Sequence, residues 1–260
     1  MTIFIASICI VAGLGLILGL ALALADKYIA VPLDEKQEQI LNLLPGANCG
    51  SCGLAGCGAM AKALSEGKAS LSQCPVVNQE SRNKLAGILG VEAETVMPTA
   101  AFVGCQGGKR CLDRADYTGL TDCRAAAADG KKGCPYGCVG LLSCVRVCPS
   151  GAISLNEHGV PEIDKSKCIS CGLCVKECPH GLISIKPLNT KVYVSCSARE
   201  TGKKVKDACT AGCIGCGLCA KVCEQGAITM TNHLPVIDNN KCIGCLKCVE
   251  RCPQKTLKSG

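Results

Sequence analysis

The chain has 260 residues, of which 26 are cysteine, 30 glycine, two phenylalanine and none tryptophan, and its formal charge is +7. Cysteine at a tenth of the residues marks a disulfide scaffold or a metal protein, and disulfide scaffolds are usually short, secreted and not crowded with cysteines several to a turn. No aromatic-and-basic motif accompanies the positive charge, so no nucleic-acid partner is expected, and bound clusters of about −2 each would more than offset it.

In chain order, residues 1–25 contain no charged side chain; the first charges are Asp26 and Lys27. About 24 apolar residues make a helix roughly 36 Å long, enough to span a bilayer. Ala23-Leu24-Ala25 resembles a signal-peptide cleavage site. No basic segment precedes it and the apolar run is too long for a signal peptide, so a retained single-pass anchor is expected. The lysines all follow this span, which places the cysteine-rich body on the cytoplasmic side of the cell membrane, where thiols stay reduced. Gly15, Gly19 and Ala23 form a small-residue stripe suited to packing against another membrane helix. Cys9 reads as a buried apolar residue.

Residues 26–90 are expected to form a small helical module. Asp34 can cap a helix bearing Ile40, Leu41, Leu43 and Leu44, which Pro45-Gly46 ends. Cys49, Cys52, Cys57 and Cys74 follow with spacing C-x2-C-x4-C-x16-C, a helix from Ala59 to Glu66 carrying the chain across. Four thiolates suffice for one [4Fe-4S] cluster, and also for zinc. The cysteine-free stretch 76–104 reads as a connector, and 91–130 as a connecting region with extra cysteines.

From about residue 130 the chain repeats itself at an offset of 74 to 75. Cys134, Cys138, Cys144 and Cys148 recur as Cys209, Cys213, Cys219 and Cys223, and Gly151-Ala152-Ile153 recurs as Gly226-Ala227-Ile228. Cys168, Cys171, Cys174, Cys178 and Pro179 read C-x2-C-x2-C-x3-C-P, as do Cys242, Cys245, Cys248, Cys252 and Pro253. That is the ligation pattern of bacterial two-cluster ferredoxins, whose fourth cysteine serves the other cluster. Zinc sites favour separated C-x2-C pairs, often with histidine, whereas these cysteines come in triples and the chain has three histidines. Strands are expected around Ile153, Ile163, Ile183, Ile228 and Ile237, with a brief helix after each run. The predicted fold class is α+β: an N-terminal transmembrane helix, the small helical iron–sulfur module and two tandem two-cluster ferredoxin-like units, 131–190 and 191–260.

The ferredoxin rule assigns Cys213, Cys216 and Cys219 with Cys252, and Cys242, Cys245 and Cys248 with Cys223. It joins Cys168, Cys171 and Cys174 with Cys148. Leu141 stands where the fourth set needs its middle cysteine; Cys134 is the expected replacement, beside Cys138, Cys144 and Cys178. With the N-terminal four, five [4Fe-4S] clusters are expected. Cys105, Cys111, Cys123, Cys196 and Cys209 are left over, either as unligated thiols or as ligands of a sixth site.

The order of these parts resembles the B subunits of Rnf complexes. The resemblance rests on the anchor, on Leu-Leu-Pro-Gly-Ala-Asn-Cys-Gly-Ser-Cys-Gly-Leu-Ala-Gly-Cys at 43–57, on Asp122-Cys123-Arg124-Ala125-Ala126, on Cys134-Pro135-Tyr136-Gly137-Cys138-Val139-Gly140 and on the doubled ferredoxin unit. It implies an electron-relay subunit of a membrane translocase, working with soluble ferredoxin and with other membrane and peripheral subunits that couple NAD reduction to Na⁺ or H⁺ transport. No strand-linked G-x-G-x-x-G marks an NAD site here, and the span has no ionisable residue for an ion path. The 43–74 motif also occurs in corrinoid iron–sulfur proteins, which need no anchor; the polyferredoxin of another membrane enzyme, such as a hydrogenase, is the other alternative.

Overall fold

The computed structural model describes residues 12–24 and 34–260. Residues 12–24 are helical (α1); the remainder of the expected anchor, 1–11 and 25, lies outside the described residues, as does Cys9. Among the described residues, no helix is long and apolar enough to cross a membrane.

The N-terminal module is three helices around one apolar core. α2 (Glu35–Leu43) carries Glu35 and Glu38 in its first turn, where acidic charge complements the helix dipole, and it stops at Leu44, in extended backbone immediately before Pro45. α3 (Cys57–Ser65) follows the cysteine loop. α4 (Gln79–Leu89) is capped by the Asn78 side chain, which accepts from the Ser81 N–H, and is ended by left-handed Gly90. Ile40, Met60, Ala61, Leu64, Leu85 and Ala86 form the core. The expectation of a connector over 76–104 is therefore corrected. α4 completes the N-terminal core, and β1 (Thr99–Val103) pairs antiparallel with β4 (Ile183–Pro187), Val103 opposite Ile183.

Each ferredoxin-type unit consists of two two-stranded antiparallel ribbons. In the first, β1–β4 accompanies β2 (Ile153–Leu155) with β3 (Pro161–Ile163). In the second, β5 (Val192–Val194) pairs with β8 (Leu257–Ser259), and β6 (Ile228–Thr231) with β7 (Leu234–Ile237). The strands expected around the five isoleucines are present; β1, β5 and β8 are additional. Short α5 (Cys123–Ala128) precedes the first unit's helices, α6 (Ser143–Arg146) and α7 (Leu173–Glu177). α8 (Gly202–Ala208) precedes their counterparts α9 (Leu218–Lys221) and α10 (Lys247–Arg251).

The repeat extends to the cores. Cys144, Ile153, Cys174 and Ile183 in one unit match Cys219, Ile228, Cys248 and Leu257 in the other. With so few large side chains, the cysteines themselves make up much of the packing. The two units meet where Phe102 of β1 packs edge-on to Tyr193 of β5, centroids 5.0 Å apart, with Lys165 Nζ 4.7 Å over the Phe102 ring.

Candidate metal centres

In the N-terminal module, Cys52, Cys57 and Cys74 pack on the helical core. Cys57 opens α3, and its N–H donates to Asn48 Oδ1 at 2.8 Å. Cys74 is positioned by buried Arg82, whose guanidinium donates to the Leu71 carbonyl at 3.0 Å and the Cys74 carbonyl at 3.1 Å. Burial pushes the Cys74 thiol up, and the neighbouring Cys52 and Cys49 sulfurs push the same way. All four predicted residues therefore share one neighbourhood.

This module touches the first unit through its cysteine loop. Ser51 Oγ donates to the Cys171 carbonyl. Burial raises the Cys171 thiol, with Cys49, Cys148 and Cys168 adding to it. Cys174 is pushed up to about 12, first by burial and then by Cys171, Cys168, Cys144 and Cys148. Cys148, Cys168, Cys171 and Cys174 are thus brought together, with Cys144 of the adjoining set near them.

The irregular set differs from expectation. One cavity is lined by Cys123, Cys138, Cys144 and Cys178, among Val103, Val139, Leu182 and Ile183. Cys134, expected beside Cys138, Cys144 and Cys178, is absent from that lining and faces a different cavity. Cys123 is held there by local capping. Asp122 Oδ1 accepts from the Arg124 and Ala125 N–H groups at 2.8 and 3.2 Å, starting α5. The Cys123 N–H donates to Ser143 Oγ at 2.9 Å, tying it to α6. Burial pushes Cys144 up to about 11, with Cys123 and Cys178 adding to it. The repeat offset is blind to Cys123, because Ala198 stands 75 residues further on; the sequence signals are the capping aspartate before it and the Asp122-Cys123-Arg124-Ala125-Ala126 segment that resembles the Rnf B subunits.

In the second unit, Cys219 is pushed up to about 11 by burial, then by Cys213, Cys252 and Cys216. Cys223, Cys242, Cys245 and Cys248 line another cavity. Cys216 and Cys245 are exposed, whereas Cys213, Cys219 and Cys248 are buried.

The remaining thiols are not scattered. Cys105, Cys111, Cys134, Cys196 and Cys209 line one cavity between the two units. Cys111 and Cys209 stand side by side, and their mutual influence draws the Cys111 thiol down against the opposing effect of burial while raising that of Cys209.

Among the described residues, no three His, Cys, Asp or Glu side chains converge closely enough to hold a single metal ion. All-thiolate donor sets suit iron–sulfur clusters or zinc; a cluster takes one thiolate at each iron, so its four sulfurs stand wider apart than those around one zinc. The residues present fit clusters. The fold and its donor sets define an iron–sulfur protein of the multi-cluster ferredoxin class.

Comparison with known proteins agrees and narrows the class. An Fe-S cluster family matches residues 44–76, and the 4Fe-4S dicluster domain matches 133–182 and 212–256, with a related dicluster family over 167–228. The B subunit of the ion-translocating oxidoreductase complex of Methanosarcina acetivorans is 42% identical over 99% of this chain and 98% of its own length. The B subunit of the Na(+)-translocating ferredoxin:NAD(+) oxidoreductase complex of Acetobacterium woodii is 41% identical over 94% of this chain and 74% of its own. The proton-translocating counterpart of Clostridium ljungdahlii is 36% identical over 95% and 89%. The chain belongs to the family of B subunits of Rnf-type ion-translocating oxidoreductase complexes, and is an electron-transfer subunit with 4Fe-4S domains.

Proposed function

We propose that this chain is the relay of a membrane complex, taking electrons from soluble reduced ferredoxin at its C-terminal unit and delivering them through the N-terminal module to membrane subunits. NAD reduction and Na⁺ or H⁺ transport would be coupled there, in other chains. Five ligand sets carry the relay: Cys49/Cys52/Cys57/Cys74, Cys148/Cys168/Cys171/Cys174, Cys123/Cys138/Cys144/Cys178, Cys213/Cys216/Cys219/Cys252 and Cys223/Cys242/Cys245/Cys248. When bound, [4Fe-4S] clusters supply reversible one-electron chemistry; the chain spaces them, excludes water and tunes them through burial and N–H···S hydrogen bonds.

The observation that carries this reading is the approach of the N-terminal module to the first unit's sets: Ser51, between Cys49 and Cys52, donates to the Cys171 carbonyl, and Cys174 and Cys144 pack in one core. Two features support electrons coming in at the second unit. Cys216 and Cys245 are exposed, with Ile243 59% exposed beside them. Residues 191–260 also hold eleven Lys and Arg against five Asp and Glu, which favours an acidic redox partner by steering.

The finer localisation is a single-pass anchor at the N-terminus with the body in the cytoplasm. Leu16, Ile17 and Leu22 of α1 are 72%, 68% and 70% exposed, an apolar surface that lipid or a membrane partner would cover. Family membership over nearly the whole chain favours this reading over a corrinoid-associated protein or the polyferredoxin of another enzyme.

The test uses Cys52→Ser in the intact complex. Reduced ferredoxin should still bleach the C-terminal clusters, while membrane-coupled NAD reduction is lost. Unchanged NAD reduction refutes the route.

A further inference from the structure

We propose that Cys105, Cys111, Cys134, Cys196 and Cys209 form a sixth [4Fe-4S] site, four of the five serving as ligands, placed between the two ferredoxin-type units. The five come from three separate stretches of chain, yet line one cavity. Cys111 and Cys209 face each other across an isolated antiparallel bridge and are buried together with Ala211, with Cys134 packed against them.

The backbone around this cavity is built for close approach to sulfur. A Cβ on Gly107 would stand 3.1 Å from Cys209 Sγ and 3.7 Å from Cys105 Sγ. A Cβ on Gly137 would stand 3.1 Å from the Cys134 carbonyl and 3.6 Å from Cys111 Sγ. Main-chain N–H groups point at two of the sulfurs: Gly107 donates to Cys105 at 3.4 Å and Cys213 to Cys196 at 3.2 Å. N–H donors to sulfur are a feature of cluster ligation. A cation is also at hand: Lys132, whose side chain is 9% exposed, bonds Asp113 at 2.7 Å and the Gly108 carbonyl at 3.3 Å.

Buried hydrogen bonds hold the segments in register. Gln106, next to Cys105, donates to the Ala211 and Gln254 carbonyls, both at 2.9 Å. Ser195, next to Cys196, donates to the Thr256 carbonyl at 2.9 Å. The group therefore adjoins Cys138 through Gly137 on one side and Cys213 through Cys196 on the other. Filled, it turns two separate ferredoxin-type pairs into one continuous series. This goes beyond the five sets above and does not depend on ferredoxin or NAD being the partners.

The experiment is iron and acid-labile sulfide analysis with Mössbauer spectroscopy on the full chain, purified anaerobically. About 24 iron atoms per chain are expected from six four-iron clusters; about 20 overturns the proposal. Cys111→Ser/Cys209→Ser should lose about four of them, with the paramagnetic signals of the other five clusters retained; undiminished iron overturns it. Recovery of Cys111 and Cys209 as a disulfide after anaerobic thiol blocking overturns it as well. Failure of the proposed relay would show instead as intact NAD reduction in Cys52→Ser, independent of the iron count.

Discussion

The main-chain N–H of Cys213 donates to Sγ of Cys196 at 3.2 Å. Cys196 follows β5 and belongs to the thiol group between the units, while Cys213 begins the first cysteine run of the second unit. One hydrogen bond thus joins a sulfur that spacing left without a role to the backbone of a regular ferredoxin-type set. Hydrogen bonds to the sulfurs tune a bound cluster's potential.

The exchange of Cys134 for Cys123 has a direct test. Cys123→Ser is expected to remove the cluster set of Cys138, Cys144 and Cys178, lowering iron by about four atoms per chain. Cys134→Ser should leave that cluster's EPR signal in place. The reverse pattern would restore the spacing-based assignment.

Arg82 holds the Cys74 segment through the Leu71 and Cys74 carbonyls. Arg82→Met keeps the volume and strands the Cys74 carbonyl in the core, while the Leu71 carbonyl keeps the Cys74 N–H at 3.3 Å, at a cost of about 2 kcal/mol. Chemical denaturation should show the loss, and the N-terminal cluster should be shed before the others.

Four cysteine runs end in the same turn, with residues 151, 181, 226 and 255 at positive φ; three are glycine and the fourth is Lys255, at φ 47. An L side chain in that region is disfavoured, so Lys255→Gly should stabilise the holoprotein by about 1 kcal/mol, or roughly 2 °C in its thermal midpoint. A lower midpoint would show that the Lys255 side chain makes a contact worth more than the strain.

Phe102 and Tyr193 join the two units edge-on. Phe102→Ala is expected to cost about 3–4 kcal/mol, with faster hydrogen exchange in β1 and β5 but an unchanged iron content. Loss of iron from both units would mean that the contact also sets ligand geometry.

Much of this protein is readable from local spacing. C-x2-C-x2-C places thiols within two turns of chain, so identity and interval alone define the regular runs, and the offset of 74 to 75 aligns Cys144 with Cys219 and Ile153 with Ile228 without reference to the fold. Strands β1, β5 and β8 are not visible there, because three to five residues pairing across 60 or more positions leave little periodicity. The α4 segment passes for a connector because its apolar face, Leu85 and Ala86, acquires meaning only against α2 and α3.

The sequence by itself determined the class: cysteines too crowded for disulfides, grouped in ferredoxin runs and doubled. Only the tertiary structure decided which sulfurs meet. Cys123 enters a set through the Asp122 cap and Ser143, and Cys134 moves to the cavity it shares with Cys105, Cys111, Cys196 and Cys209. Cluster ligation depends on distance in space, and where ligands come from segments a hundred residues apart, interval along the chain carries no information about that distance.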